Sequence, residues 1–323
     1  MKRRIECRIS ETYAGHTLPA FLTTRFPYHD EMGWRERMAK GRILINDLPA
    51  APQQTLAAGD RLEYLAADTT EPPVNRSLDI VFEDEDIWVI NKPPNLPCHP
   101  AGRYFHHTLW AILKEQSGGI APAFINRLDR ETSGLVLVAK TPEAAEKGRR
   151  QFHGQRVEKR YLALVEGRFP DQLEGHGWLT SDTQSVLRKK RRFLATREGA
   201  PPEGSKTDWA ETKFRCVGIH GEISAVEVVP LTGRLHQIRA TLYGLGFPVV
   251  GDKVYGVDET IFLRFCTDAL TDEDRRRLRM NRQALHAAAL RFRHPRTGQE
   301  LFFETPAPPD MAVLITPREI TRP

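Results

Sequence analysis

The chain has 323 residues, more than one compact core usually fills, and a prior of about 150 residues per domain suggests two units. Its 40% hydrophobic and 28% charged residues exclude both a disordered chain and a bundle of membrane spans. Lys plus Arg exceed Asp plus Glu by 47 to 42, a net charge of +5 that admits a polyanionic partner without requiring one, and the four scattered cysteines give neither a disulfide framework nor a zinc-ligand spacing.

The opening MKRRIECRIS is basic but carries no apolar segment long enough for a signal peptide, and no later stretch approaches membrane-spanning length, so a cytoplasmic protein is expected. Residues 1–66 read as a first unit. It holds a helical stretch at 17–26, basic residues Arg35, Arg37, Lys40 and Arg42, then Ile43-Leu44-Ile45-Asn46, Gly59-Asp60 and a strand-like 62–65. Residues 67–77 contain Asp-Thr-Thr-Glu-Pro-Pro, and adjacent prolines without backbone donors predict an extended linker.

From residue 78 onward short β-type runs recur, at 80–82, 87–91, 135–139, 161–165, 214–217, 223–229, 287–292 and 301–303. They predict a large, mainly antiparallel sheet. Thr108 can cap a helix over 109–116, and Thr141-Pro142-Glu143 can start one that ends near Gly154. Thr232 can cap a third, ending near Gly244, with Leu235, Ile238 and Leu242 on its core side. An α+β catalytic domain over 78–311 follows, with 312–323 as a C-terminal tail. Two basic runs, 188–192 and 275–282, are either phosphate-tracking surfaces or solvated faces. No coiled-coil pattern is present, and a monomer is expected.

The segment richest in chemistry is Ile125-Asn126-Arg127-Leu128-Asp129-Arg130-Glu131-Thr132-Ser133-Gly134, just before the apolar run Leu135-Val136-Leu137-Val138. Asp129 stands between two arginines, and an opposite charge within a few ångströms lowers a carboxylate pKa by roughly 1 to 3. An ionised carboxylate on a loop can act as a nucleophile. From the residues alone, a structural turn in which Asp129, Thr132 and Ser133 cap backbone donors while both arginines face water is the more ordinary reading, and spacing does not overturn it.

Asn-Arg-Leu-Asp-Arg-Glu-Thr-Ser-Gly closely resembles the signature of the RluA-type pseudouridine synthases, usually His-Arg-Leu-Asp-Arg-x-Thr-Ser-Gly. Further resemblances follow in family order across 78–311. They are Val89-Ile90-Asn91-Lys92-Pro93-Pro94, Lys159-Arg160-Tyr161, Gly233-Arg234-Leu235-His236-Gln237-Ile238-Arg239, Gly251-Asp252-Lys253-Val254-Tyr255-Gly256 and Gln283-Ala284-Leu285-His286. Several ordered motifs are far less probable by chance than one. Asn126 stands where the family usually has His, and is expected to bear on RNA backbone contacts or loop geometry rather than on the nucleophile.

The resemblance implies isomerisation of uridine to pseudouridine in structured RNA, ribosomal or transfer, with neither cofactor nor metal. Asp129 would be the catalytic carboxylate and Arg234 its ionic partner, with Arg239 as second candidate. Tyr161 would lie against the flipped uracil or take its C5 proton, although a tyrosine on a strand also commonly fills a core. Arg127 would occupy the vacated stack, and Arg130, Lys159 and Arg239 would contact RNA. The first unit resembles the S4-type RNA-binding module through its basic helix and Gly41-Arg42-Ile43-Leu44-Ile45-Asn46, which makes Arg42 a further RNA contact. Glycoside hydrolysis lacks the second acid it commonly needs, and a non-catalytic RNA binder would not require Asp129, Tyr161 and Arg234 together.

Overall fold

A computed structural model describes all residues except 1–2, 27–29, 52, 67–70, 102, 188, 197–206 and 316–323. Part of the expected linker, Arg188 of the first basic run and most of the expected tail therefore lie outside the described residues. The chain divides into two compact units, 1–71 and 72–323.

The first unit contains β1 (Arg3–Arg8), α1 (Leu18–Arg25), α2 (Glu31–Ala39), β2 (Ile43–Ile45), β3 (Leu48–Pro49) and β4 (Arg61–Ala66). The strands form an antiparallel sheet in the order β1-β4-β2-β3. Leu18, Phe21 and Leu22 of α1 and Trp34 and Met38 of α2 bury against Ile43, Ile45, Leu62 and Tyr64 of the sheet. Asn46 and Asp47, both at positive φ, make the tight β2–β3 turn, a conformation these short polar residues tolerate. The Asp30 side chain caps α2 by accepting from Gly33 N at 2.7 Å.

The second unit opens with β5 (Asp79–Glu83), β6 (Ile87–Lys92), α3 (Leu109–Gln116), β7 (Ala123–Phe124), β8 (Ser133–Ala139) and α4 (Pro142–His153). It continues with β9 (Glu158–Glu166), β10 (Gln172–Ser181), β11 (Arg191–Ala195), β12 (Asp208–His220), β13 (Ile223–Pro230) and α5 (Gln237–Gly244). Then come α6 (Thr260–Cys266), α7 (Asp272–Leu278), β14 (Leu285–Arg293), β15 (Glu300–Glu304) and α8 (Pro309–Ile315). The sheet runs β11-β10-β12-β13-β9-β14-β8-β6-β5, with β15 beside β14 and β7 beside β8; among the described residues only the β14–β8 pair is parallel. No helix among the described residues is long and apolar enough to cross a membrane.

β8 is the spine of this unit, every residue of it buried. Its alternate residues serve two cores: Val136 and Val138 meet Leu109, Ile112 and Leu113 of α3, while Leu135, Leu137 and Ala139 meet Ala144 and Ala145 of α4. A strand covered on both faces reads as a continuous apolar run rather than an alternation. Thr108 and Thr141 cap their helices through Ala111 N and Ala144 N, both at 3.2 Å.

In the second unit β7, β10 and β11 lie outside the expected β-type runs, as do β1 and β3 in the first. β10 reads Gln-Leu-Glu-Gly-His-Gly-Trp-Leu-Thr-Ser, whose glycines hide the pattern; a Cβ on Gly177 would lie 2.1 Å from the Leu194 carbonyl oxygen of β11. The expected helix from Thr232 is corrected: α5 begins at Gln237 after His236, which takes a left-handed φ of 56°. Thr232 instead donates its hydroxyl to Gln237 Oε1 at 2.8 Å, and Leu235 is left exposed on the turn.

Gly134 fixes the parallel contact between β8 and β14. It has φ of +109°, and a Cβ there would lie 2.3 Å from Ala287 O. Gly134→Ala is expected to destabilise the protein by about 3 kcal/mol, combining an unfavourable φ with a backbone clash. The midpoint of urea unfolding measures it; an unchanged midpoint would show that this approach is not tight.

Candidate active site

The Asp129 loop, residues 125–132, enters β8 and is tied down from several sides. Asn126 Oδ1 accepts from Leu137 N at 2.7 Å, and Ile125 N donates to Leu137 O at 3.0 Å. The carbonyl oxygen of Asn126 thus serves the geometry of the loop, one of the two roles expected for it. Beneath the loop lies Lys92, wholly buried, whose Nζ donates to the carbonyls of Pro93, Leu96 and Arg130 at 2.8, 3.0 and 3.2 Å. Burial pushes this ammonium down to about 8, against an opposing pull from Cys98 and Asp129.

Asp129 Oδ2 accepts from Arg239 Nη1 at 2.7 Å. The same guanidinium grips Asp252 through Nε at 2.6 Å and Nη2 at 2.8 Å, a bidentate pair, and its centre lies 5.0 Å from the Tyr255 ring centroid. Asp252 is fully buried and also accepts from Val254 N and Tyr255 N, whereas the Asp129 side chain keeps 30% exposure. Burial by itself would raise the Asp129 pKa, but the Arg239 charge, His236 and hydrogen bonds from Arg239 and Gln283 together hold it below the usual carboxylate value. The carboxylate is ionised, oriented and open on one side.

This corrects two expectations. Arg234 does not pair with Asp129; it is exposed, and its Nε donates to Trp209 O at 3.2 Å. Because α5 starts later than expected, Arg239 occupies its first turn instead. Nor do the flanking arginines hold the carboxylate. Arg130 bonds Tyr104 Oη at 3.0 Å and Glu131 Oε1 at 2.7 Å, and Arg127 is exposed.

Tyr161 lies on β9 opposite Val228 and packs against two apolar clusters. Burial and then the Asp129 charge push its phenol well above the ordinary value, so it is a neutral hydroxyl at physiological pH and not a phenolate base. Lys159, two residues earlier on the same face of β9, donates to Thr232 O at 3.1 Å, and burial pushes it down to about 8. Residues that sequence reasoning gave no role complete the surroundings. His236 Nδ1 lies 2.9 Å from Tyr255 Oη, and Gln283 Nε2 reaches Thr132 Oγ1 at 2.5 Å and Asp129 Oδ2 at 3.5 Å. His236, Asp252 and Gln283 all stood inside motifs that the sequence displays, but nothing in their spacing tells which side chain turns inward.

A family model described as RNA pseudouridylate synthase matches residues 86–243. Ribosomal large subunit pseudouridine synthase D of Nitrosomonas europaea is 30% identical over 96% of this chain and 87% of its own length. This chain belongs to the RluA-type RNA pseudouridine synthases. The mitochondrial tRNA pseudouridine(32) synthase of Saccharomyces cerevisiae is 33% identical over 70% of the chain, which spans only 47% of that longer relative. Among solved structures, human RNA Pseudouridylate Synthase Domain Containing 1 superposes with a TM-score of 0.58 at 28% identity, covering 76% of this chain and 91% of that one.

For such a synthase the Arg239 bridge makes a sharp demand. Arg239→Lys keeps the charge but cannot span both carboxylates with a planar fork, and is expected to lower turnover by about 10²-fold while the protein still folds. In Arg239→Gln the cation is gone and burial is left to raise the Asp129 pKa. Its activity is then expected to fall as pH is lowered through a range where the unaltered enzyme is flat. Superimposable pH profiles would show that Arg239 does not set the ionisation of Asp129.

Proposed function

We propose that the chain isomerises specific uridines in structured ribosomal or transfer RNA, with Asp129 as the catalytic carboxylate. The observation that carries this reading is the ionised, half-open Asp129 carboxylate held by Arg239 beside Tyr161. The reaction breaks the bond from C1′ to N1, turns the base and joins C1′ to C5. The C5 proton leaves, N1 gains a proton, and nothing is consumed. Asp129 either attacks covalently or stabilises positive charge developing at C1′, and both roles need the ionised form.

A stacked uridine cannot present these atoms, so the target must flip out at a cost of a few kcal/mol. Exposed Arg127, two residues before Asp129, is the side chain we assign to the vacated stack. Tyr161 supplies a face for the extruded uracil, a contact worth roughly 1 to 3 kcal/mol, and as a neutral phenol it serves better as platform than as base. Ribosomal and transfer RNA are favoured because relatives that the chain resembles are named for those substrates.

The first unit is proposed to be an S4-like RNA-binding module over residues 1–66, with Arg42 among its contacts. Arg35 and Lys40 are balanced by Glu31 and Glu36, and Arg37 bonds Tyr64 Oη at 3.0 Å. A chain starting at Pro72 is expected to bind RNA more weakly and with a shallower salt dependence. An identical slope would remove RNA binding from this unit.

The test of the activity is pseudouridine mapping of total cellular RNA with the native gene, without it, and with Asp129→Asn alone. Loss of the same site in both altered strains is expected, with purified Asp129→Asn slower by more than roughly 10⁴-fold. Restoration of the site by Asp129→Asn would refute the carboxylate's role, and no change at any site would refute the activity.

A further inference from the structure

Beside the reactive loop the second unit carries an open concavity of about 470 Å³, lined by His99, Arg127, Arg149 and His153 with Pro122, Ala123, Phe124 and Ile125. Four basic side chains meet there, from the segment after β6, the Asp129 loop and α4. No acidic side chain is among the lining residues. No ion pair or hydrogen bond engages the side chains of Arg127, Arg149 or His153 among the described residues, and His99 Nδ1 is buried without a hydrogen-bond partner.

The arrangement has a definite cause in packing. Gly148 of α4 lies so close to the loop that a Cβ on it would stand 2.4 Å from Ile125 Cδ1. This contact lays α4 flush against the start of the reactive loop. Arg149, the next residue, and His153, one turn on, share a helix face, and both reach the concavity that Arg127 lines. His99 packs its ring against Phe124 with centroids 4.6 Å apart. Other cations on α4 are differently placed: Lys147 pairs with Glu143 at 2.7 Å and Arg150 with Glu146 at 2.5 Å. The basic residues left without a carboxylate are those turned toward the reactive loop.

We propose that this concavity, through Arg149 with His99 and His153 and with Arg127 leaving it for the vacated stack, binds the phosphate backbone of the RNA strand next to the target uridine, so that it holds the strand while the base is drawn out. The inference deepens the functional reading above and rests on it. Its occupant is a polyanion because two arginines line it without a balancing acid and the two histidines add hydrogen-bonding nitrogens, and a polymer because the concavity is open. Each phosphate neutralised releases counterions, which gives the site a measurable signature in the salt dependence of binding.

The experiment uses the full chain and an in vitro transcript carrying the uridine identified by mapping. Arg149→Gln with His153→Gln alters two exposed helical positions, so the fold is retained, as an unchanged thermal melt will verify. The slope of log binding constant against log salt is expected to become shallower by about 0.7 to 0.9 for each phosphate that the variant no longer neutralises, with weaker binding at low salt. Arg150→Gln removes one charge from the same helix outside the concavity and is expected to leave the slope unchanged. If the double variant keeps the original slope while the unaltered enzyme isomerises the transcript, this inference is overturned and the activity stands. If Arg150→Gln flattens the slope as much, the effect is one of net charge and the site is refuted. If the unaltered enzyme neither binds nor isomerises any RNA, both readings fall together.

Discussion

The site depends on one guanidinium shared by two carboxylates. Arg239 is 7% exposed in its side chain, Asp252 fully buried and Asp129 30% exposed, so one cation faces two anions across a gradient of burial. Buried ion pairs are weak sources of stability, since desolvation consumes most of the Coulombic gain, and removing one partner typically costs about 3 to 5 kcal/mol. Arg239 therefore makes poor sense as a device for folding alone. Asp252 takes two of its donors and fixes its plane, which leaves Nη1 aimed at Asp129. The inner carboxylate acts as an orienting anchor, and the outer one is free to react on its exposed side.

That bridge is possible only because the second unit brings distant segments together along β8. The strand delivers the Asp129 loop at its start, β14 runs parallel beside that end, and Gln283 just before β14 reaches Thr132 and Asp129. The opposite end of β8 carries a separate cluster. Lys140 N bonds Asp86 O there, while His294 and Arg296 engage Asp84 and Asp86. Seven residues of strand span about 20 Å, so these acids lie well away from Asp129, and Arg296 already supplies the charge that a metal would. They hold the β5–β6 turn to the loop after β14.

Most of the sheet was legible in sequence because β-branched and apolar runs mark strands that are buried, above all the run in β8. β10 was not, because its glycines serve close contact with β11 rather than a hydrophobic face. The reactive loop was legible through its resemblance, but the ionic partner of Asp129 was misassigned. That error follows from local backbone geometry: His236 adopts a left-handed conformation that delays α5, and no periodicity in the sequence reveals a start displaced from Thr232 to Gln237. Once the start moves, Arg234 belongs to a turn and Arg239 to the first helical turn. Lys92 stood inside a motif, but its buried role was not readable, since its partners are backbone carbonyls, which carry no sequence signal.

Charge is redistributed by the fold in a similar way. The basic runs that stand out in the sequence are neutralised in part, the second more than the first. Arg276, Arg277, Arg279 and Arg282 meet Glu273, Asp258, Glu166 and Asp310, while Lys190 and Arg191 meet Glu259 and Asp208. Adjacent cations repel, and the fold offsets that repulsion with acids drawn from elsewhere in the chain, so a dense run leaves little field for an external anion. Two arginines without a carboxylate, Arg127 and Arg149, are instead isolated in sequence, and become neighbours because Gly148 lets α4 press against Ile125. For an enzyme that must hold a polyanion close to a carboxylate, this separation has a physical use. The cation nearest Asp129 is bound to it and to Asp252, while Arg127 and Arg149 line the adjacent concavity without a carboxylate, so phosphate can be attracted there without displacing the arginine that keeps the carboxylate ionised.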